Sequence, residues 1–223
     1  MKIRSLGVVL TIQSLSIVGV VLMTASPGLT ANVFQNLWDR IVRSSDQQPP
    51  RSVRGGNCLV GPSHVIWSDR PRLAWDNGLS PVKTVKIAKS DNSTHPIWSK
   101  EVDTKQTSIQ YDDKPLPIGV YQWSTIDSSG RSEIGSFEVM EPVEREKIGT
   151  ALLILEQEIK GQELTENNRI LKRINFWLEP DQDLLWDAIS EMYAAEGRSP
   201  EAEKLRQKFI NQVCRPDPVP SKK

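Results

Sequence analysis

Apolar positions follow two rhythms along this chain, and the change between them falls near residue 141. Between Leu59 and Met140 the apolar residues alternate with polar ones over short stretches separated by turn-forming residues, the pattern of an antiparallel β-sandwich. Leu73 and Trp75 share a face within 71–76, Val85 and Ile87 within 82–89, and Ile109 and Tyr111 within 107–112. Tyr121, Trp123 and Thr125 do the same within 119–126, and Phe137 and Val139 within 136–140. Asp91-Asn92-Ser93 and Asp127-Ser128-Ser129-Gly130 supply turns, because Asp, Asn and Gly tolerate the backbone angles required there. Asn92-Ser93-Thr94 also fits a glycosylation sequon; beside a bacterial-type export signal it reads as a turn.

Beyond Glu141-Pro142 the spacing becomes helical. Ile148, Leu152, Leu155 and Ile159 mark a first helix, and Ile170, Ile174, Trp177 and Leu178 a second. Leu185, Ala188, Ile189 and Met192 mark a third, and Ala202, Leu205, Phe209 and Val213 a fourth. Thr165, Asp181 and Ser199 stand where N-caps belong. The connections are short, which predicts antiparallel neighbours. The expected architecture is α+β in two domains, a β-sandwich at 55–141 followed by a four-helix α domain at 142–214.

Upstream, Lys2 and Arg4 precede a mostly apolar stretch from Leu6 to Met23, with small residues at 24–26 and 30–31. Residues 1–31 therefore read as an export signal, cut after Ala25 or Ala31, or retained as an anchor. Val33, Phe34, Leu37, Trp38 and Ile41 form one stripe of a short helix, which packs on its own body or lies on a membrane surface or partner. A polar spacer containing Pro49-Pro50 covers 44–54, and 215–223, with three prolines, reads as an unstructured tail. An exported chain changes the meaning of its two cysteines. Cys58 and Cys214 form either a disulfide closing almost the whole mature chain or two separate thiols.

Composition narrows the chemistry. Lys plus Arg and Asp plus Glu both total 28, for a net charge of zero, and no basic stripe appears, so nucleic acid is set aside as a partner. His64 and His95 have no Cys or carboxylate at metal-ligand spacing. Asp181-x-Asp183 with Asp187 lacks the glycine and the terminal glutamate of a calcium loop and reads as acidic residues favoured in the first turn of a helix. Glu141, Glu144 and Glu146 begin a helix and make no recognisable carboxylate pair. No nucleophile elbow, phosphate loop or zinc helix occurs. No catalytic residue, metal or cofactor is expected.

The stretch 116–123, Leu-Pro-Ile-Gly-Val-Tyr-Gln-Trp, resembles the tyrosine corner of Ig-like and fibronectin type III sandwiches, with Trp75, Tyr121 and Trp123 as the structural signature. Trp186-Asp187-Ala188-Ile189 through Leu205 resembles a tetratricopeptide-type helical hairpin. An export signal, Gly55-Gly56-x-Cys58, Trp67-Ser68-Asp69-Arg70-Pro71 and Leu185-Trp186-Asp187-Ala188 together resemble a group of cyanobacterial exported proteins that carry a domain of unknown function. That resemblance implies an envelope location, periplasmic or secreted, and transfers no catalytic residue.

Seven tryptophans raise the possibility of sugar stacking. Trp75, Trp123, Trp177 and Trp186 fall on core positions, which leaves Trp67 and Trp98 as candidate ligand-binding residues. Ile97 and Trp98 point to opposite sides of a strand, so one of them faces outward if that strand is half buried. The expected function is a non-catalytic envelope module that binds a protein partner, with the sandwich as spacer and the helical hairpins as the binding surface. The alternative is a module that binds cell-wall polymer or polysaccharide through an exposed tryptophan.

Overall fold

The computed structural model describes residues 35, 38, 39, 57–179, 182 and 184–214. The export segment, most of the 33–41 helix, the spacer at 44–54, Asp181, Asp183 and the tail at 215–223 lie outside the described residues. The strands are β1 (Cys58–Gly61), β2 (His64–Ile66), β3 (Arg72–Asp76), β4 (Val82–Lys89), β5 (Trp98–Glu101), β6 (Ser108–Gln110), β7 (Gly119–Asp127) and β8 (Ser132–Val139). The helices that follow are α1 (Pro142–Lys160), α2 (Glu166–Trp177), α3 (Leu185–Ala194) and α4 (Pro200–Cys214). The chain is α+β.

Strands β1, β3 and β6 form a three-stranded antiparallel sheet, and a second sheet has the order β2-β8-β7-β4-β5. This larger sheet corrects the purely antiparallel expectation, because β2 runs parallel to β8, pairing His64 with Phe137 and Ile66 with Val139. The reason is connectivity. β2 lies between two strands of the smaller sheet in sequence, and its three residues are a brief excursion to the edge of the larger one.

Burial patterns show how the layers stack. Along β7 every second residue from Tyr121 to Asp127 is buried, so the larger sheet hides one face and leaves the other open. Strand β1 is buried at all four positions, and Leu73, Ala74 and Trp75 are consecutively buried in β3. A strand buried on both faces needs cover on both sides. The larger sheet supplies one cover through Trp123, Phe137 and Val139, while α3 lies against β3 and α4 against β1 on the other. One continuous cluster of buried residues runs through all three layers.

Two glycines make the close approaches possible. A Cβ on Gly61 would sit 2.2 Å from Cε3 of Trp186, and one on Gly135 would sit 2.7 Å from Nε1 of Trp123. Gly61→Ala must therefore push the α3 tryptophan out of its seat, and we expect a loss of about 1–3 kcal/mol, the usual cost of overpacking. Urea unfolding of the full chain measures it; an unchanged midpoint means that Trp186 yields freely.

Tyr121 carries the corner ahead of β7, its hydroxyl donating to the Pro117 carbonyl at 2.8 Å. Its ring stacks on Phe137, with centroids 5.5 Å apart. Tyr121→Phe keeps the packing and removes the bond, so a loss of about 1 kcal/mol is expected in the same unfolding measurement.

Candidate functional site

The residues singled out by the sequence fall in two places, and neither gathers catalytic groups. Trp98, at the start of β5, turns inward and is 6% exposed. Its indole N–H donates to Asp112 Oδ1 at 2.8 Å, and its ring meets Tyr111 edge-on at 5.5 Å. Lys100 and the Trp98 N–H together hold the Asp112 carboxyl below the usual carboxylate range. Ile97, 44% exposed, is the residue that faces outward. Of the two residues the alternation left open, Trp98 is the one that turns inward: its indole N–H reaches the Asp112 carboxylate at the surface, so the large apolar ring is buried at little polar cost.

Trp67, in the turn between β2 and β3, is half-buried and is also no free platform. Its ring packs on Trp177 with centroids 5.3 Å apart, its N–H donates to the Arg145 carbonyl at 3.0 Å, and the Arg145 guanidinium lies 5.7 Å from its centroid. Arg145 in turn pairs with Asp69 at 2.5 Å. Trp67 thus ties the sandwich to α1 and α2.

Beside it, Asp187 of α3 is buried and accepts from the backbone N–H groups of Trp67 at 2.9 Å and Ser68 at 3.2 Å. Burial pushes its carboxyl up to about 6, against the pull of those two donors, and the nearby Glu191 adds to the rise. Cys58 and Cys214 are joined by a disulfide, with Cα atoms 5.6 Å apart, closing the far side of the same contact. The capping role of Asp187 is almost silent in the sequence. Its only trace is that a carboxylate stands among Leu185, Trp186, Ala188 and Ile189, on a helix too apolar to tolerate one idly.

These contacts determine what the helices leave open. The apolar residues of α2, α3 and α4, including Ile174, Trp177, Ala188, Leu205 and Phe209, are buried in the shared cluster. Among the described helical residues, only those of α1 include exposed large apolar side chains, at Val143, Leu153 and Ile154. Thr165 and Ser199 cap α2 and α4, accepting from the N–H groups of Asn168 and Ala202. Trp38 packs against the body with the Lys208 ammonium 4.0 Å from its ring centroid, so this part of the 33–41 stripe has a partner on the chain itself.

The free surface is the outer face of the five-stranded sheet. Pairing of β2, β8 and β7 sets Val65, Glu138 and Val120 side by side across it. Val65 is 41%, Val120 48% and Ile134 60% exposed. A groove of about 610 Å³ runs here between the β1–β2 connection and β8, and a smaller hollow of about 240 Å³ lies on the other side of Ile134, under Thr94 and Pro96. Among the described residues no group of three or more His, Cys, Asp or Glu is placed to hold a metal ion, and no helix is long and apolar enough to cross a membrane.

No family model matches the chain, and no curated protein matches it. Among solved structures, it is similar to CopC from Methylosinus trichosporium OB3b at 21% identity and a TM-score of 0.27, over 37% of this chain and 92% of that one.

Proposed function

We propose that the chain is a non-catalytic protein-interaction module of the cell envelope, built on an Ig- or fibronectin-type sandwich with a helical domain clamped to it. The observation that carries the reading is the outer face of the five-stranded sheet, where exposed valines and an isoleucine border a groove that reaches inward to Trp186. Apolar patches of this kind mark contact surfaces more often than they arise idly. The Tyr121–Pro117 bond supports the sandwich type. The Cys58–Cys214 bridge and the export-type start of the chain support an extracytoplasmic, periplasmic or secreted location.

In this reading the partner surface is the sheet rather than the helical hairpins, which is supported by the burial of the apolar residues of α2, α3 and α4 in the shared cluster. Binding of wall polymer or polysaccharide loses its motivation, since Trp98 is buried and Trp67 is held by Trp177 and Arg145. The test compares the mature chain with two surface variants in pull-downs from native envelope extract. Val120→Lys with Ile134→Lys is expected to lose the retained protein, and Leu153→Lys with Ile154→Lys on α1 to keep it. Loss from the α1 variant alone would move the surface to the helices, and capture of polymer without protein would end the protein-interaction reading.

A further inference from the structure

Resting on that reading, we infer that the groove takes an extended polypeptide strand carrying lysine or arginine among alternating apolar residues, added to the free edge of β8. The first ground is the edge itself. β2 covers β8 only opposite Phe137 to Val139, so the Ser132–Ser136 half of β8 has β7 on one side and, among the described residues, no strand hydrogen-bonded to it on the other. The Met140 N–H donates to the Ile66 carbonyl, on the β2 side. With the two-residue period of a strand, the backbone groups of Ser136 and Ile134 face that same side, toward the groove.

The second ground is the way the chain vacates the edge. His64 sits at φ 56°, in the left-handed region that costs a non-glycine residue energy. That turn breaks the extended path that would otherwise carry β2 back alongside Ser136 and Ile134. Strain of this sort is held by its surroundings, and the Pro62 carbonyl is anchored by the Trp123 indole N–H at 2.9 Å. The result is a sheet edge with a wall of chain standing off from it rather than paired to it.

Charge selects the occupant. Glu138 lies on the outer face between exposed Val65 and Val120, and among the described residues it is in no ion pair. Backbone donors and acceptors at the edge call for another strand, the exposed Val65, Val120 and Ile134 call for apolar residues at its alternate positions, and Glu138, on the same face, calls for a cation at one of those positions.

The probe is a blocked octapeptide with valine, lysine, valine and valine at alternate positions and serine between them, titrated into the isotope-labelled mature chain while backbone amide shifts are followed. Shifts concentrated at Ser132–Ser136 are expected, with binding at least about tenfold weaker when glutamate replaces lysine and lost when the valines are N-methylated. Ile134→Pro, which removes an edge donor while leaving the β7 side of the ladder, should also abolish binding; the N-methylated peptide gives the same answer without altering the protein. Shifts elsewhere, equal binding by the N-methylated peptide, or concentration-dependent edge shifts without peptide, which would mean a second copy of this chain, each overturn strand addition. If the peptide fails but the envelope partner is still lost with Val120→Lys and Ile134→Lys, the strand mode falls and the interaction reading stands. If that partner is absent too, both fall.

Discussion

Replacing Cys58 and Cys214 together by serine is expected to lower the stability of the chain by roughly 5 kcal/mol, the largest effect of any change considered. The bridge spans a sequence separation of 156 residues, from the first strand to the last residue of α4. In the chain-entropy account a loop of that length removes close to the maximum freedom from the unfolded chain. At about 2–4 °C per kcal/mol for a body of this size, the thermal midpoint should fall by roughly 10–20 °C. Calorimetry of the double-serine variant measures it, with the reduced wild type as a second route to the same open chain. Because Cys58 belongs to the fully buried β1 and Cys214 ends the helix lying against it, the first region to lose amide protection should be α4. A midpoint unchanged in both forms would mean that packing alone sets the stability of this contact.

Most strands that could be read from the sequence have one wet face, although β3, buried through Leu73, Ala74 and Trp75, was read as well from its Leu73 and Trp75 pair. β4, β7 and β8 alternate because the larger sheet is open on its outer side, and the period of two survives in their residues. β1 left no such trace: Cys-Leu-Val-Gly is buried on both faces, and a continuous short apolar run has no period to detect. β2 has only three residues, and its place beside β8 follows from a left-handed residue that no pattern announces. The same logic separates the helices. α2 shows its stripe, with Ile170, Ile174 and Trp177 buried, whereas residues 185–189 of α3 are buried without interruption, so the stripe there is only part of the buried surface.

The candidate site was legible in part. Period two tells which side of β7 and β8 faces water, but that Val65, Glu138 and Val120 are neighbours depends on the register of three strands far apart in sequence. For Trp98 the alternation posed the choice against Ile97 without deciding it; the Asp112 carboxylate, just past the next strand, decides it by accepting the indole N–H. The segments Trp67-Ser68 and Leu185-Trp186-Asp187-Ala188 stood out separately. In space they are one contact, in which a helix carboxylate caps the backbone of a turn. The change of period near Glu141 marks where strands give way to helices, yet the buried cluster crosses it.

That capped turn yields the second large effect, and its sign is set by burial. The Asp187 carboxyl titrates at about 6 in the folded chain against an ordinary 3.8, so the folded state binds its proton more tightly than the unfolded state does. Between those two values stability must fall as pH rises, and the contribution is fully present below 3.8 and lost above about 6. The gap corresponds to roughly 3 kcal/mol, an upper figure because neighbouring groups relax. Glu156, held low by its two-pronged bond to Arg173, and Asp127, held low by the Ser129 hydroxyl, act in the opposite direction at the acid end. The net expectation is a chain more resistant to urea at pH 5 than at pH 7, with the advantage turning over below about 4. Asp187→Asn removes the titration, and its stability should vary far less between pH 5 and 7. Asp187→Leu separates charge from capping: it removes the Asp187 share of the pH slope, leaving that of Glu191, whose carboxyl burial also raises, but it leaves the Trp67 and Ser68 N–H groups without an acceptor, at about 1–3 kcal/mol. A wild type that gains nothing at pH 5, or an Asp187→Asn variant that keeps the full slope, would show that the carboxylate is not the group under strain.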